Sequence, residues 1–182
     1  MKQASAPTDL DIKTFAAAGG ALSGHDLLSN YERLAHEVQG LEPEMALDWS
    51  AQGELRNTPA GEGQVWLHLT LSTVLRLICQ RCLGPVDTPV TVDQWYRFVA
   101  GEELAQAQDD VSEEDVLALS RAFDLAALIE DEVLLALPLI PCHETCPVPV
   151  KLAAVDPAFD LATEQQRHPF AVLSKLQGGK AG

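Results

Sequence analysis

The chain has 182 residues, of which 47% are hydrophobic and 21% charged, a length and composition typical of one folded domain with appendages. Its formal charge of −15 and only twelve Lys and Arg exclude the basic surfaces that bind a phosphate backbone tightly. We therefore expect no DNA partner, leave direct RNA contact open, and favour a basic protein as the partner.

Residues 1–22 are read as an N-terminal segment in which Leu10 and Ile12 alternate with polar neighbours, which predicts an edge strand over residues 10–15. Ser23 is an N-cap candidate, and Gly40 a C-terminal stop, for an amphipathic helix. The apolar residues at helical spacing between them are Leu27, Leu28, Tyr31, Leu34, Ala35 and Val38.

Three segments then alternate with a period of two: 44–55, 65–79 and 90–98. A turn near Gly61–Gly63 and another at Leu83–Pro85 join them into antiparallel hairpins. This pattern predicts Cys79 and Cys82 at the tip of the second hairpin.

Residues 101–115 carry seven carboxylates and no basic residue, which predicts a solvated loop. A short strand at 116–119 and a helix capped by Asp124 and ended by Pro138 follow. On that helix only Glu132, of its three consecutive acids, is expected near the buried stripe.

The C-terminal tail, 147–182, is predicted to contain one short helix that starts at Pro169. The sequence thus predicts an α+β core domain over residues 23–146. Its centre is a twisted antiparallel sheet of hairpins with packed helices. A bound zinc ion could stabilise the tip of one hairpin.

Two features indicate the compartment. No apolar run near the N-terminus has the length of an export signal, and the longest apolar stretch, Val133 to Ile140, is interrupted by Pro138 and too short for a membrane helix. We expect a cytoplasmic protein without a membrane partner, in a reducing environment that disfavours structural disulfides.

The four cysteines form two close pairs, Cys79-x2-Cys82 and Cys142-x3-Cys146. Two chelating loops of this kind can provide the four thiolates of a tetrahedral, structural zinc site, with His143 as a substitute ligand. Two alternatives stay open, namely four reduced thiols without metal and a disulfide or redox pair.

No other pattern indicates catalysis, since nucleophile elbows, phosphate-binding glycine loops and H-E-x-x-H are absent from the sequence. An enzymatic hypothesis would require a pocket that pairs Glu132 with a histidine. Trp49, Trp66, Trp95 and Tyr96 lie on predicted strands and could stack RNA bases, but such aromatics usually pack into or over a core.

Three segments in order carry a family resemblance: Leu77-Ile-Cys-Gln-Arg-Cys-Leu-Gly-Pro-Val86, Phe123 to Pro138 leading into Pro141-Cys142, and His168-Pro-Phe-Ala-Val-Leu-Ser-Lys-Leu176. Together they resemble the YceD family of bacterial and plastid proteins associated with accumulation of 23S ribosomal RNA.

The resemblance implies a non-enzymatic role in 23S ribosomal RNA accumulation or processing and large-subunit biogenesis. It also implies ribosome assembly components or basic ribosomal proteins as partners. The alternative hypothesis is an acidic interaction module that docks a basic ribosomal protein or a ribonuclease without touching RNA.

Overall fold

The computed structural model describes residues 6–38, 44–57 and 63–150. The chain divides into two compact units, which are residues 1–146 and residues 147–182. The elements below all belong to the first unit. The helices are α1 (Ile12–Ala17), α2 (Glu32–Glu37), α3 (Glu102–Asp109) and α4 (Leu125–Leu135), with a short 3-10 turn at Leu28–Asn30. The strands are β1 (Ala21–Leu27), β2 (Ala46–Asn57), β3 (Gly63–Ile78), β4 (Pro85–Val99) and β5 (Asp115–Ala118).

One five-stranded sheet in the order β1-β2-β3-β4-β5 organises the fold. The predicted hairpins β2–β3 and β3–β4 are confirmed as antiparallel pairs. The predicted short strand is present as β5, but it pairs parallel to β4. A parallel partner requires a crossover, and the segment containing α3 provides it. The α+β fold class predicted from the sequence is confirmed.

The alternating side chains of β2, β3 and β4 place the core on one face of the sheet. Leu47, Leu67, Leu69 and Leu75 are fully buried there, and Tyr96 nearly so. Helix α1 packs against β2 and β3, and α4 packs against β4. Each buried leucine stabilises the fold by roughly 1.5–3 kcal/mol relative to exposure.

The predicted edge strand over residues 10–15 is wrong. Only Leu10 forms a bridge, to Phe123, through a pair of backbone hydrogen bonds of 2.9 and 2.8 Å. Asp11 then caps α1, because its carboxylate accepts the backbone N–H of Thr14 at 3.0 Å. A local cap therefore outweighs the weak alternation of this segment.

The predicted helix from Ser23 is wrong over its first part, where the chain forms β1. Gly24 lies opposite Trp49 in the register of β1 and β2. A Cβ at this position would stand 2.7 Å from the indole ring, so the close approach of ring and backbone requires glycine. Only α2 is helical as predicted, and the predicted stop at Gly40 lies outside the described residues, as does the turn around Gly61.

The acidic segment 101–115 is not the predicted loop, because it contains α3. Arg97 of β4 holds this segment against the sheet. The residue is 8% exposed. Its guanidinium donates to Glu114 and Ser112 at 2.7 Å and to Gln108 at 2.5 Å. One arginine on the sheet thus binds three side chains of the acidic segment.

Helix α4 begins as predicted, since Asp124 accepts the backbone N–H of Ala127 at 2.8 Å. The expectation that only Glu132 lies near its buried stripe is wrong, because Glu130 is 9% exposed. Glu130 accepts the Arg33 side chain at 2.8 Å and the backbone N–H of Arg33 at 2.7 Å. It therefore binds the first turn of α2 from a different helix. The predicted helix after Pro169 lies outside the described residues.

Candidate metal centre

The tip between β3 and β4 is a tight turn that presents two cysteines. Cys79 N–H donates to the Gly84 carbonyl, and Leu83 N–H donates to the Cys79 carbonyl, both at 2.8 Å. Leu83 adopts the left-handed conformation, with φ of 59°. The turn brings the Cys79 and Cys82 thiols to the same side of the hairpin end.

The loop that follows α4 lies against this turn. Gln80 N–H donates to the Pro141 carbonyl at 2.9 Å, which ties the two segments together through backbone atoms. Residues 142–146 are thereby held next to the hairpin tip, although β4, α3, β5 and α4 lie between the two segments in the sequence.

Four metal-binding side chains converge at this junction: Cys79, Cys82, His143 and Cys146. Their candidate ligand atoms all lie within 4.8 Å of one another. The sulfurs of Cys79 and Cys146 are 3.9 Å apart, and Cys82 Sγ is 3.4 Å from His143 Nδ1. A tetrahedral ion with metal–sulfur bonds of about 2.3 Å needs neighbouring ligand atoms roughly 3.5–3.8 Å apart. The cluster could therefore hold a metal ion with small adjustments of its side chains.

The electrostatics of the thiols differ within the cluster. Burial opposes ionisation of Cys79, but backbone N–H groups of Cys82, His143 and Arg81 donate to its sulfur and lower its pKa. Burial, and then the neighbouring sulfurs of Cys82 and Cys79, raise the pKa of Cys146. Ionisation of Cys79 is thus favoured, and ionisation of Cys146 beside it is disfavoured. Several thiolates can therefore form together only with a cation among them.

The structure brings together three of the four cysteines predicted as ligands, namely Cys79, Cys82 and Cys146, and places His143 fourth. Cys142 is not among the converging groups, and its thiol interacts with the Arg81 side chain. All four cysteines are free thiols in the structure. The sequence identified His143 only as a substitute ligand, because spacing does not tell which of two adjacent residues turns inward.

The pocket that contains Glu132 lacks the histidine that the enzymatic hypothesis required. Its described lining residues include Tyr96, Asp115 and Glu132, but no histidine. Two other histidines form pairs elsewhere on the sheet, His25 with Asp48 and His68 with Asp93.

Two of the aromatic residues that could stack bases lie on the outer face of the sheet. Arg56 Cζ is 4.1 Å from the ring centres of both Trp66 and Trp95, and His68 stacks on Trp95 at 4.2 Å. These rings therefore already stack on neighbouring side chains. Trp49 and Tyr96 are buried in the core.

Fold and site together define an α+β protein in which a cluster of three thiols and an imidazole closes the tip of a β-hairpin. Residues 67–177 match the family described as large ribosomal RNA subunit accumulation protein YceD, and both cysteine pairs lie within that range. The chain belongs to this family.

A relative from Haemophilus influenzae (strain ATCC 51907 / DSM 11121 / KW20 / Rd) carries the same description. It is 28% identical over 159 residues, which cover 85% of this chain and 86% of the relative. No solved structure matches the chain. Within the described ranges, no helix combines the length and apolar character that a bilayer span requires.

Proposed function

We propose that this chain is a non-enzymatic, cytoplasmic factor that supports accumulation or processing of 23S ribosomal RNA and biogenesis of the large ribosomal subunit, through contacts with proteins. Family membership carries this proposal, because the family description names accumulation of large-subunit ribosomal RNA. The match includes the hairpin tip, helix α4 and the loop that supplies His143 and Cys146.

The charge distribution favours protein contacts over direct RNA contacts. Four arginines of the described residues are each paired with a carboxylate: Arg33 with Glu130, Arg56 with Glu54, Arg76 with Asp87, and Arg97 with Glu114. Phosphate binding would need these cations free and clustered. The other eight Lys and Arg are scattered along the sequence of a chain whose net charge is −15.

The alternative function is an acidic interaction module that docks a basic ribosomal protein or a ribonuclease. Helix α3 supports it, because Glu102, Glu103 and Asp109 are exposed along it. Pull-downs at low and high salt separate the two hypotheses. A docked basic protein should be lost as salt rises, whereas a partner held by buried apolar surface should remain.

Deletion of the gene tests the ribosomal role. The ratio of 23S to 16S ribosomal RNA should fall in the deletion strain, and the intact gene supplied on a plasmid should restore it. An unchanged ratio under slow growth and in the cold would contradict the proposal.

Zinc is the proposed metal, held by Cys79, Cys82, His143 and Cys146. Thiolates with an imidazole are the ligands typical of structural zinc, and four protein ligands leave no position for a substrate or a reactive water. The ion would join the hairpin tip to the loop after α4 and add its binding energy to folding. A native preparation should contain one zinc per chain, and a preparation without bound metal would contradict this part of the proposal.

A further inference from the structure

The pocket that contains Glu132 is a cavity of about 420 Å³ between α4 and the paired strands β4 and β5. Its apolar walls include Leu117, Leu128 and Leu134, and its polar side chains are Tyr96, Asp109, Asp115, Asp131 and Glu132. Neither the hairpin tip nor the thiol cluster contributes to it. The cavity thus combines an apolar wall with an excess of negative charge.

Among the described residues, Asp131 is the one carboxylate of these four that has a cationic partner. Asp131 already binds Arg33 at 2.5 Å, and Asp109 accepts the backbone N–H of Val116 at 2.8 Å. Among the described residues neither Asp115 nor Glu132 forms an ion pair, and the Glu132 carboxylate lies beside the Tyr96 hydroxyl. Burial, with the charges of Asp115 and Asp131, raises the pKa of Glu132. The cavity therefore lacks a positive charge.

Tyr96 adds a buried hydroxyl to the lining of this cavity. The residue is 1% exposed, and its hydroxyl makes no hydrogen bond of good geometry with the described residues, although the Glu132 carboxylate lies close to it. The Glu132 carboxylate lies beside the hydroxyl and, after burial, contributes most to raising the pKa of Tyr96. A buried hydroxyl without a well-formed hydrogen bond is unfavourable, so a ligand that bonds to it would be stabilised.

The spacing of the acids selects the kind of cation. Among the described residues, the thiol cluster is the only group of three or more metal-binding side chains whose ligand atoms converge within 4.8 Å, so the carboxylates of this cavity do not form a compact metal cage. A guanidinium carries five N–H donors spread over a plane, and the stem of an arginine is apolar. Such a group can reach separated carboxylates while its methylenes pack against leucine side chains.

We propose that this cavity binds an arginine side chain presented by a basic partner protein, with Glu132 and Asp115 accepting the guanidinium N–H groups and Tyr96 Oη accepting a further one. The chemistry of the ligand rests on the cavity alone. That the partner belongs to the ribosome assembly machinery rests on the proposed function.

Titration of the full chain with short peptides, followed by NMR, tests the cavity. The probes are acetyl-Gly-Gly-Arg-Gly-Gly-amide and the same peptide with citrulline, which has the shape of arginine without its charge. The arginine peptide should shift the backbone amides of 115–118 and 128–135, and the citrulline peptide should not.

Variants provide matched controls. Glu132→Gln should weaken binding of the arginine peptide about tenfold, as the loss of a charge-assisted hydrogen bond predicts, and Asp115→Asn should weaken it several-fold. Glu103→Gln removes the same charge from the exposed side of α3 and should change affinity less than twofold. Because Asp115 is exposed, its variant reports on the cavity even if Glu132→Gln disturbs folding.

Equal losses from Glu103→Gln and Glu132→Gln would overturn the proposal, since binding would then follow net charge alone. Equal binding of the citrulline peptide, or the same shifts produced by magnesium chloride alone, would also overturn it. Arginine binding combined with a normal 23S to 16S ratio in the deletion strain would leave the cavity assigned and remove the ribosomal role. A reduced 23S to 16S ratio without arginine binding would support the ribosomal role and overturn the assignment of the cavity.

Discussion

Two polar centres of the molecule differ in how their buried groups are satisfied. Asp26, on the edge strand β1, is 4% exposed and accepts hydrogen bonds from Ala6 N–H at 3.1 Å and from Tyr31 Oη and Trp49 Nε1 at 2.9 Å. At the hairpin tip, three thiols and an imidazole face one another instead. Three neutral donors of the protein bind one oxygen of the Asp26 carboxylate, whereas the thiol cluster is rich in ligands and poor in positive charge.

This difference teaches which part of the fold depends on something outside the chain. A buried carboxylate with three neutral donors is stable as it stands. Sulfurs about 4 Å apart cannot all ionise without a cation between them. We therefore expect the centre around Asp26 to respond to mutation but not to removal of metal, and the thiol cluster to respond to both.

Removal of the metal should have the largest effect. A strong chelator should lower the free energy of unfolding by about 4 kcal/mol if zinc was present at a thousandfold above its Kd. Urea denaturation with and without chelator measures this. The variant Asp26→Asn is the control, because its stability should be lower but should fall by the same amount on chelation. Identical urea midpoints with and without chelator would contradict the difference between the two centres.

Asp26→Ala should have the next largest effect. It leaves the Tyr31 hydroxyl, the Trp49 indole N–H and the Ala6 N–H without their acceptor, and we expect a loss of about 3 kcal/mol in the free energy of unfolding. Zinc content should not change. Asp48→Ala is the matched control, since Asp48 lies on the adjacent strand in an exposed pair with His25 and should contribute roughly 0.5 kcal/mol or less. Equal losses from the two variants would show that the hydrogen bonds of Asp26 do not stabilise the fold.

Glu130→Gln tests a carboxylate that is buried like Asp26 but paired with a cation. The amide can still accept the backbone N–H of Arg33 but loses the ion pair, so we expect a loss of about 1.5 kcal/mol. Asp131→Asn removes the exposed partner of the same arginine and should cost less, roughly 0.5 kcal/mol. Urea denaturation of both variants gives the comparison, and a larger effect from Asp131→Asn would reverse our interpretation.

Glu114 should give the smallest effect, visible as pH dependence. The Arg97 side chain holds the pKa of Glu114 below its ordinary value of 4.5. Its contribution to stability is therefore present above pH 4.5 and disappears as pH falls through the lower pKa of the folded state. Glu114→Gln should flatten the loss of stability in acid by under about 1 kcal/mol, because the pair is partly exposed. An unchanged slope in a series of urea midpoints would show that this pair does not stabilise the fold.

The elements that the sequence predicted correctly are those in which local pattern and tertiary role agree. Strand β3 alternates from Val65 to Leu77 with one polar interruption at Thr73, and every residue of that set is buried. Helix α4 has both a capping residue, Asp124, and an apolar stripe. The apolar period and the capping residue were sufficient to predict these elements, because each element is determined by residues within its own segment.

Two of the elements that were predicted wrongly depend on distant residues. In β1, Gly24 lies opposite Trp49 of β2, and the indole N–H of Trp49 donates to Asp26. Helix α3 is bound to the sheet by Arg97. No periodicity within either segment reports such a partner. For the thiol cluster, the spacing predicted the right loops, but whether Cys142 or its neighbour His143 faces the other ligands is decided by the backbone of the loop.

The zinc content of five single variants tests the central claim most directly. Cys79→Ser, Cys82→Ser, His143→Gln and Cys146→Ser should each purify with little or no zinc, while Cys142→Ser should keep one zinc per chain. Zinc that is lost from Cys142→Ser and retained in His143→Gln would contradict the account.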